Sequence, residues 1–288
     1  MSIWKKIKYK LLTKGFGAYI NSMHFVNARF AAQIAYTLFS TPRHGFLKSI
    51  PTFLTSSAMK KLTWKDHIIQ TYEWNGTKET ILLIHGWESN ANRWKGVIET
   101  LRKHNYCIIA LDAPGQGLSN GKEFNAIYYS EFIHEVCQHF QPDYLVGHSL
   151  GGMTMFYYLS KYQPAHVKKA LSLGAPNRFL RITDDYKRLV SMREASYREF
   201  LKEFTQRFDI NPTTFNTEDF IDQLLKELII GLIHDEKDKV VPYEDALEIK
   251  ARHPHLPLHT TYNLGHSLYH TSVNKQIVHF LENNSFKL

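Results

Sequence analysis

The sequence predicts an α/β protein: an open, mostly parallel sheet with helices on both faces, interrupted once by a helical insertion. Three observations predict it. From about residue 60 onward, short β-rich runs alternate with segments of helical length. Several of these runs are apolar at consecutive rather than alternate positions, which suits strands covered on both faces. The alternation then fails once, over residues 177–227, where no convincing strand is found.

The strands are expected at IIQTYEW (68–74), TILLIHGW (80–87), YCIIALD (106–112), YLVGHS (144–149), VKKALSLGAP (167–176), LIIGLIHD (228–235) and PLHTTYNLG (257–265). Helices are expected between them. Residues 92–104 place Trp94, Val97, Ile98 and Leu101 on one face, and residues 128–140 repeat Tyr129, Phe132, Ile133 and Val136 at three- and four-residue spacing. Residues 152–162, 243–252 and 272–281 complete the set. The insertion carries a helical stripe of aromatic and aliphatic residues from Tyr186 to Phe208. A Pro-marked loop, DINPTTFNTEDF, then leads to a fresh helix start with Thr217 as its N-cap. The expected organisation is a basic helical N-terminal extension (1–61), a core (62–176 and 228–288) and a helical lid (177–227).

A chain of 288 residues can bury a substantial core, and its apolar and charged fractions, 43% and 22%, are those of an ordinary globular protein. The charge is unevenly placed. Residues 1–61 hold ten Lys or Arg and no Asp or Glu, leaving 25 basic against 27 acidic residues downstream. The formal net charge of +8 therefore belongs to the N-terminal segment. Cys107 and Cys137 both lie in apolar patterns and read as reduced, buried thiols, which fits a reducing compartment. No secretion signal and no 18-residue uncharged apolar stretch is found, so a cytoplasmic location is expected. Within SIWKKIKYKLL, residues Ile3, Trp4, Ile7 and Leu11 fall on one helical side among four lysines, a pattern compatible with peripheral contact to the inner face of an anionic membrane. The plainer alternative is a helix docked on the domain with solvated lysines. No nucleic-acid-binding motif accompanies the basic segment, so a nucleic-acid partner is not expected.

The chemistry concentrates in DYLVGHSLGG, residues 143–152. A strand that turns sharply into a helix strains the residue at the apex and requires small neighbours. Gly147 and Gly151 flank Ser149 in that way. The turn pushes the Ser149 hydroxyl out at the C-terminal edge of the sheet. The N–H of Leu150 opens the helix towards the same space, where developing negative charge is favoured. One turn therefore offers a nucleophile and an oxyanion donor.

The G-x-S-x-G pattern in this setting resembles the nucleophile elbow of the α/β-hydrolase superfamily, in its serine esterase and lipase-like branch. Three further stretches extend the resemblance over roughly residues 65–288. In LLIHGW (82–87), it implies a second oxyanion donor from the N–H of Trp87, with Glu88 as the fallback. ALDAPGQGLS (110–119) is similar to the family's D-x-P-G-x-G-x-S stretch, and Asp112 reads there as a loop-bracing carboxylate. In LIIGLIHDEKDKVVP, the resemblance assigns the acid to Asp238, three residues before Val241-Pro242. Asp235 stands where many relatives carry Gly and is the minor rival, and Glu236 reads as a solvated charge. In YNLGHSLYH, His266 follows Gly265 at the end of the last strand, as the family's catalytic histidine does, while His270 belongs to the start of the terminal helix. His148 is expected to pack beside the serine.

The resemblance implies a Ser149–His266–Asp238 triad that forms an acyl-enzyme on small to medium acyl esters or thioesters, with no cofactor. No metal is expected, since neither H-E-x-x-H nor a Cys/His cluster occurs. A serine at the apex argues against epoxide opening and dehalogenation, which use a carboxylate there. Two alternatives stay open: a C–C bond hydrolase with the same triad, and a non-catalytic binding protein on the same fold.

Overall fold

The structure, a computed structural model, describes residues 3–224 and 226–287; the side chains of residues 3–10 lie outside that description. The expected apolar side at Ile3, Trp4 and Ile7 falls on those side chains.

By its internal contacts the chain divides into two compact units, one joining Pro42–Asn177 to Thr217–Leu288 and the other joining Met1–Thr41 to Arg178–Asn216. The first contains the sheet. Its strands are β1 (Ala58–Trp64), β2 (His67–Trp74), β3 (Thr80–Ile84), β4 (Cys107–Leu111), β5 (Tyr144–His148), β6 (Lys169–Leu173), β7 (Ile229–Asp235) and β8 (Leu258–Thr261). Their spatial order is β1-β2-β4-β3-β5-β6-β7-β8. Among the described strands, only the β1–β2 and β2–β4 pairings are antiparallel. From β4 through β8 all neighbours run parallel, so their C-terminal ends emerge along one edge.

The consecutive apolar runs are explained by burial on both faces. Ile81, Leu83, Ile108 and Val146 pack with Trp94, Ile98, Leu101, Ile277 and Phe280 from the helices Lys95–Lys103 and Thr271–Asn283 and the 3₁₀ turn before the former. Leu82, Ile109 and Leu145, which alternate with them along the strands, are equally buried and face the other way. The helices Ala126–Phe140 and Leu150–Tyr162 pack on each other and present Phe132, Ile133, Met155 and Phe156 as buried side chains.

β1 is absent from the expected strands. It pairs only with β2, is largely exposed and carries Lys60 and Lys61, so it lacks the apolar signature of its neighbours. The two thiols also differ: Cys137 is buried, while Cys107 is only partly so.

The second unit is helical, with Ile3–Val26, Ala28–Ser40, Phe179–Val190 and Glu194–Phe208. The aromatic stripe of the insertion is not one helix. It breaks at Ser191, which takes a left-handed conformation, and Asn21 holds the turn by donating to the Ser191 carbonyl and accepting from the Arg193 N–H. Tyr197, Phe200 and Phe204 form the unit's core with Ile20, Ala35 and Tyr36. In the sheet unit, Thr217 opens the short helix Thr217–Ile221, but its hydroxyl donates to the Pro176 carbonyl.

Candidate active site

β5 ends at His148, and the helix Leu150–Tyr162 begins one residue after Ser149. Ser149 adopts φ 54° and ψ −131°, a conformation that costs a non-glycine residue about 1–3 kcal/mol and persists only where surrounding contacts enforce it. Those contacts are tight. A Cβ on Gly147 would lie 2.6 Å from the Gly152 Cα, and one on Gly151 would lie 2.3 Å from the His85 carbonyl oxygen. The Ser149 N–H donates to the Leu173 carbonyl at 2.9 Å, which ties the apex to β6.

The structure brings together Ser149, His266 and Asp238, which come from three separate stretches of the sequence. The Ser149 Oγ and the His266 Nε2 are 2.9 Å apart, and the His266 Nδ1 and the Asp238 Oδ2 are 2.7 Å apart. A carboxylate accepts only, so His266 carries its proton on Nδ1 and leaves the Nε2 lone pair for the serine hydroxyl. The Asp238 side chain is fully buried. Burial pushes its pKa up. The hydrogen bond and charge of His266 and the N–H groups of Val240 and Val241, at 2.8 and 3.0 Å from Oδ1, outweigh that push and hold the carboxyl below its usual range. His234 stands behind it, with Nε2 3.6 Å from the Asp238 Oδ2 while donating to the Val241 carbonyl.

Asp235 is spatially close in sequence terms but does a different job. Its Oδ2 accepts from the Thr261 hydroxyl and the Leu264 N–H, at 2.8 and 2.9 Å, and its Oδ1 accepts from the Lys237 N–H. It thus braces the segment that leads into His266. Two further side chains hold the far side of that segment. His148 donates from Nε2 to the His266 carbonyl at 2.8 Å, with the two rings 4.9 Å apart. Arg93 donates from Nη2 to the Ser267 carbonyl at 3.0 Å, and its guanidinium lies against the Trp94 and Tyr269 rings. Burial, then the Arg93 charge, keeps the His148 pKa well below the ordinary histidine value, so this ring is a neutral donor. Arg93 was not foreseen. Its acceptor is a backbone carbonyl, which leaves no trace in the sequence. Glu236 is exposed, and His270 caps the last helix by accepting from the Ser272 N–H.

Opposite the elbow runs the loop after β3. A Cβ on Gly86 would lie 2.9 Å from the Ser149 Cβ and 3.4 Å from the Leu150 nitrogen, so this backbone abuts the apex directly. Among the described residues, neither the Trp87 nor the Leu150 N–H has a protein acceptor. The Trp87 ring packs edge-on against Phe124, and the Glu88 carboxylate accepts from the Arg43 N–H. His85 stiffens the loop: Nδ1 donates to the Gly86 carbonyl, Nε2 accepts from the Ala113 N–H, and its own carbonyl accepts from the Tyr129 hydroxyl. Burial lowers its pKa to about 3, which keeps it neutral. Asp112 braces the neighbouring loops by accepting from the Ala91 and Leu118 N–H groups and the Tyr72 hydroxyl. Burial pushes its carboxyl up to about 6.

A family profile described as alpha/beta hydrolase fold matches residues 79–228. The monoacylglycerol lipase abhd6-B of Xenopus laevis is 29% identical over 111 residues, covering 35% of this chain and 31% of the lipase. A non-heme haloperoxidase of Rhodococcus erythropolis is 28% identical over 127 residues, covering 43% of each chain. The chain thus spans less than half the length of either relative. The structure of Est1E from Butyrivibrio proteoclasticus with bound ferulic acid superposes with a TM-score of 0.61 at 16% identity, covering 78% of this chain and 98% of that one. At that identity the likeness is one of fold.

Proposed function

Because the chain belongs to the α/β-hydrolase fold family, we propose that it is a serine hydrolase that cleaves carboxylic esters or thioesters through an acyl-enzyme. The observation that carries the reading is the continuous hydrogen-bonded line Ser149–His266–Asp238, with the Trp87 and Leu150 amides unpartnered among the described residues. In this reading His266 takes the Ser149 proton as the oxygen attacks the acyl carbonyl, and Asp238 balances the imidazolium. The Trp87 and Leu150 N–H groups receive the oxyanion, and losing one such donor costs roughly 10²–10³ in rate. His266 then returns the proton to the leaving group, and water, deprotonated by the same ring, releases the acid. The lipase among the relatives favours an ester substrate.

The test is labelling by a fluorophosphonate probe together with turnover of p-nitrophenyl esters and acyl thioesters of increasing chain length. The reading expects label on Ser149 and turnover that both vanish in a folded Ser149→Ala variant. A wild-type chain that takes no label and turns over no ester would identify a binding protein on this fold. Label without ester turnover, but with cleavage of vinylogous diketones, would move the reading to C–C hydrolysis.

A further inference from the structure

The first two helices carry an apolar surface that the packing of the molecule leaves uncovered. Along Ile3–Val26 the inward positions Thr13, Gly17 and Ile20 are buried, with Ile20 in the aromatic core of its unit. Leu11, Leu12, Tyr19 and Val26 recur at spacings of seven and eight and so share the opposite side, where all four are exposed. The helix ends at Val26, and Ala28–Ser40 begins one residue later, capped by the Asn27 side chain on the Phe30 N–H. Phe25, Val26 and Phe30 stand exposed around that turn. Phe25 at 76% and Val26 at 79% are the most exposed large apolar side chains among the described residues. Single exposed apolar residues are ordinary, but six on two joined helices form a patch that implies a partner.

The charge around the patch selects that partner. Lys14 and Arg29 are exposed beside it and form no ion pair among the described residues, and the Arg193 guanidinium lies 5.9 Å from the Phe25 ring. No acidic residue occurs before Asp66, against ten basic ones to residue 61. A second copy of this chain meeting the same face would set basic side chains against basic ones, because a two-fold contact pairs a patch with itself. No described helix is long and apolar enough to cross a bilayer. A surface that takes apolar side chains and cations together is the headgroup and acyl boundary of a bilayer containing anionic lipid.

We propose that the helices on either side of Asn27 lie on an anionic membrane surface, with Leu11, Leu12, Tyr19, Phe25, Val26 and Phe30 entering the acyl boundary and Lys14 and Arg29 meeting lipid phosphates. The proposal does not depend on ester hydrolysis and is tested apart from it. The full chain is sedimented with vesicles of phosphatidylcholine alone and of phosphatidylcholine mixed with phosphatidylglycerol. Binding is expected with the mixed vesicles and is expected to weaken as salt is added. The triple substitution Leu12→Ser, Phe25→Ser, Val26→Ser is expected to lower partitioning at least about tenfold, given the apolar surface it removes. The pair Lys14→Glu, Arg29→Glu is expected to lower it about tenfold or more. Both variants should keep the wild-type thermal transition and circular dichroism. Wild-type chain that stays in the supernatant, or partitioning unchanged in both folded variants, would overturn the proposal. So would a concentration-dependent dimer, abolished by the triple substitution, in a chain that ignores vesicles; that result would identify a second copy as the occupant.

Discussion

Asp238→Asn tests the proposed chemistry most sharply. The Asp238 carboxylate makes three hydrogen bonds: Oδ1 to the N–H groups of Val240 and Val241, and Oδ2 to the His266 Nδ1. The amide oxygen of the variant can keep both backbone donors. This choice turns the amide NH₂ towards His266. Two N–H groups cannot face each other at 2.7 Å, so the imidazole must move its proton to Nε2, where Ser149 needs a lone pair. The fold keeps both backbone contacts and exchanges the charged hydrogen bond to His266 for a neutral one, so it should lose only about 1–3 kcal/mol. The chemical step loses its base. In the general Ser-His-Asp template that tautomer error costs about 10⁴ in kcat, equivalent to about 5 kcal/mol of barrier. The assay is kcat and KM for a p-nitrophenyl ester, with Ser149→Ala as the background and circular dichroism as the folding check. A loss below about tenfold in a folded variant, or a larger loss in Asp235→Asn, would refute the assignment of Asp238 as the orienting acid.

Four other perturbations separate the supporting residues. Asp235→Ala removes the brace on Thr261 and Leu264 and should cost about 2–3 kcal/mol in chemical denaturation, with a smaller effect on kcat than Asp238→Asn. The pKa values of Asp235 and Asp238 both lie below the ordinary 3.8, so their contribution to stability is complete above that value and is lost as pH falls through the lower folded values; Tm measured from pH 6 downward should fall steeply only below about 4. His148→Phe and Arg93→Met each remove one donor from the His266–Ser267 backbone and should lower kcat about tenfold with KM nearly unchanged, and an equal rise in KM would contradict a role in positioning the base. Gly151→Ala places a methyl against the carbonyls of Ile84 and His85, neither of which can yield without moving β3, and should cost about 3 kcal/mol or more, read from the urea midpoint.

Much of this arrangement is legible in the chain. Strands buried on both faces announce themselves as unbroken apolar runs, and TILLI, CIIAL and IIGLI all fall in the sheet. The elbow is legible because its geometry excludes side chains, and exclusion leaves glycines. Ser149 and His266 are recognisable by where they stand in the order of strands. The choice between Asp235 and Asp238 is harder, since both lie at or just past the end of the same strand and both are buried; it is decided by which carboxylate reaches the imidazole, and Asp235 instead spends its oxygens on Thr261, Leu264 and Lys237. β1 is hidden because an exposed edge strand needs no apolar pattern. Ser191 is hidden because a left-handed helix end usually advertises itself as glycine, and here a serine is held there by Asn21. Arg93, and the acceptor of His148, are beyond sequence reasoning for a different reason. The two side chains act on main-chain carbonyls 174 and 118 positions away, and every residue except its side chain looks the same as an acceptor.

The run of parallel strands from β4 to β8 divides the sheet unit into two rims with unequal freedom. Ser149, Asp238 and the loop that carries His266 all leave the strands at one rim, as do the loop after β3 and its braces. The opposite rim, where β3, β5, β6 and β7 begin, holds none of them. Turns there can lengthen, shorten or accept a grafted tag while the chemistry stays in register. A directed-evolution library confined to that rim would explore solubility and expression, and one confined to the other would explore substrate choice.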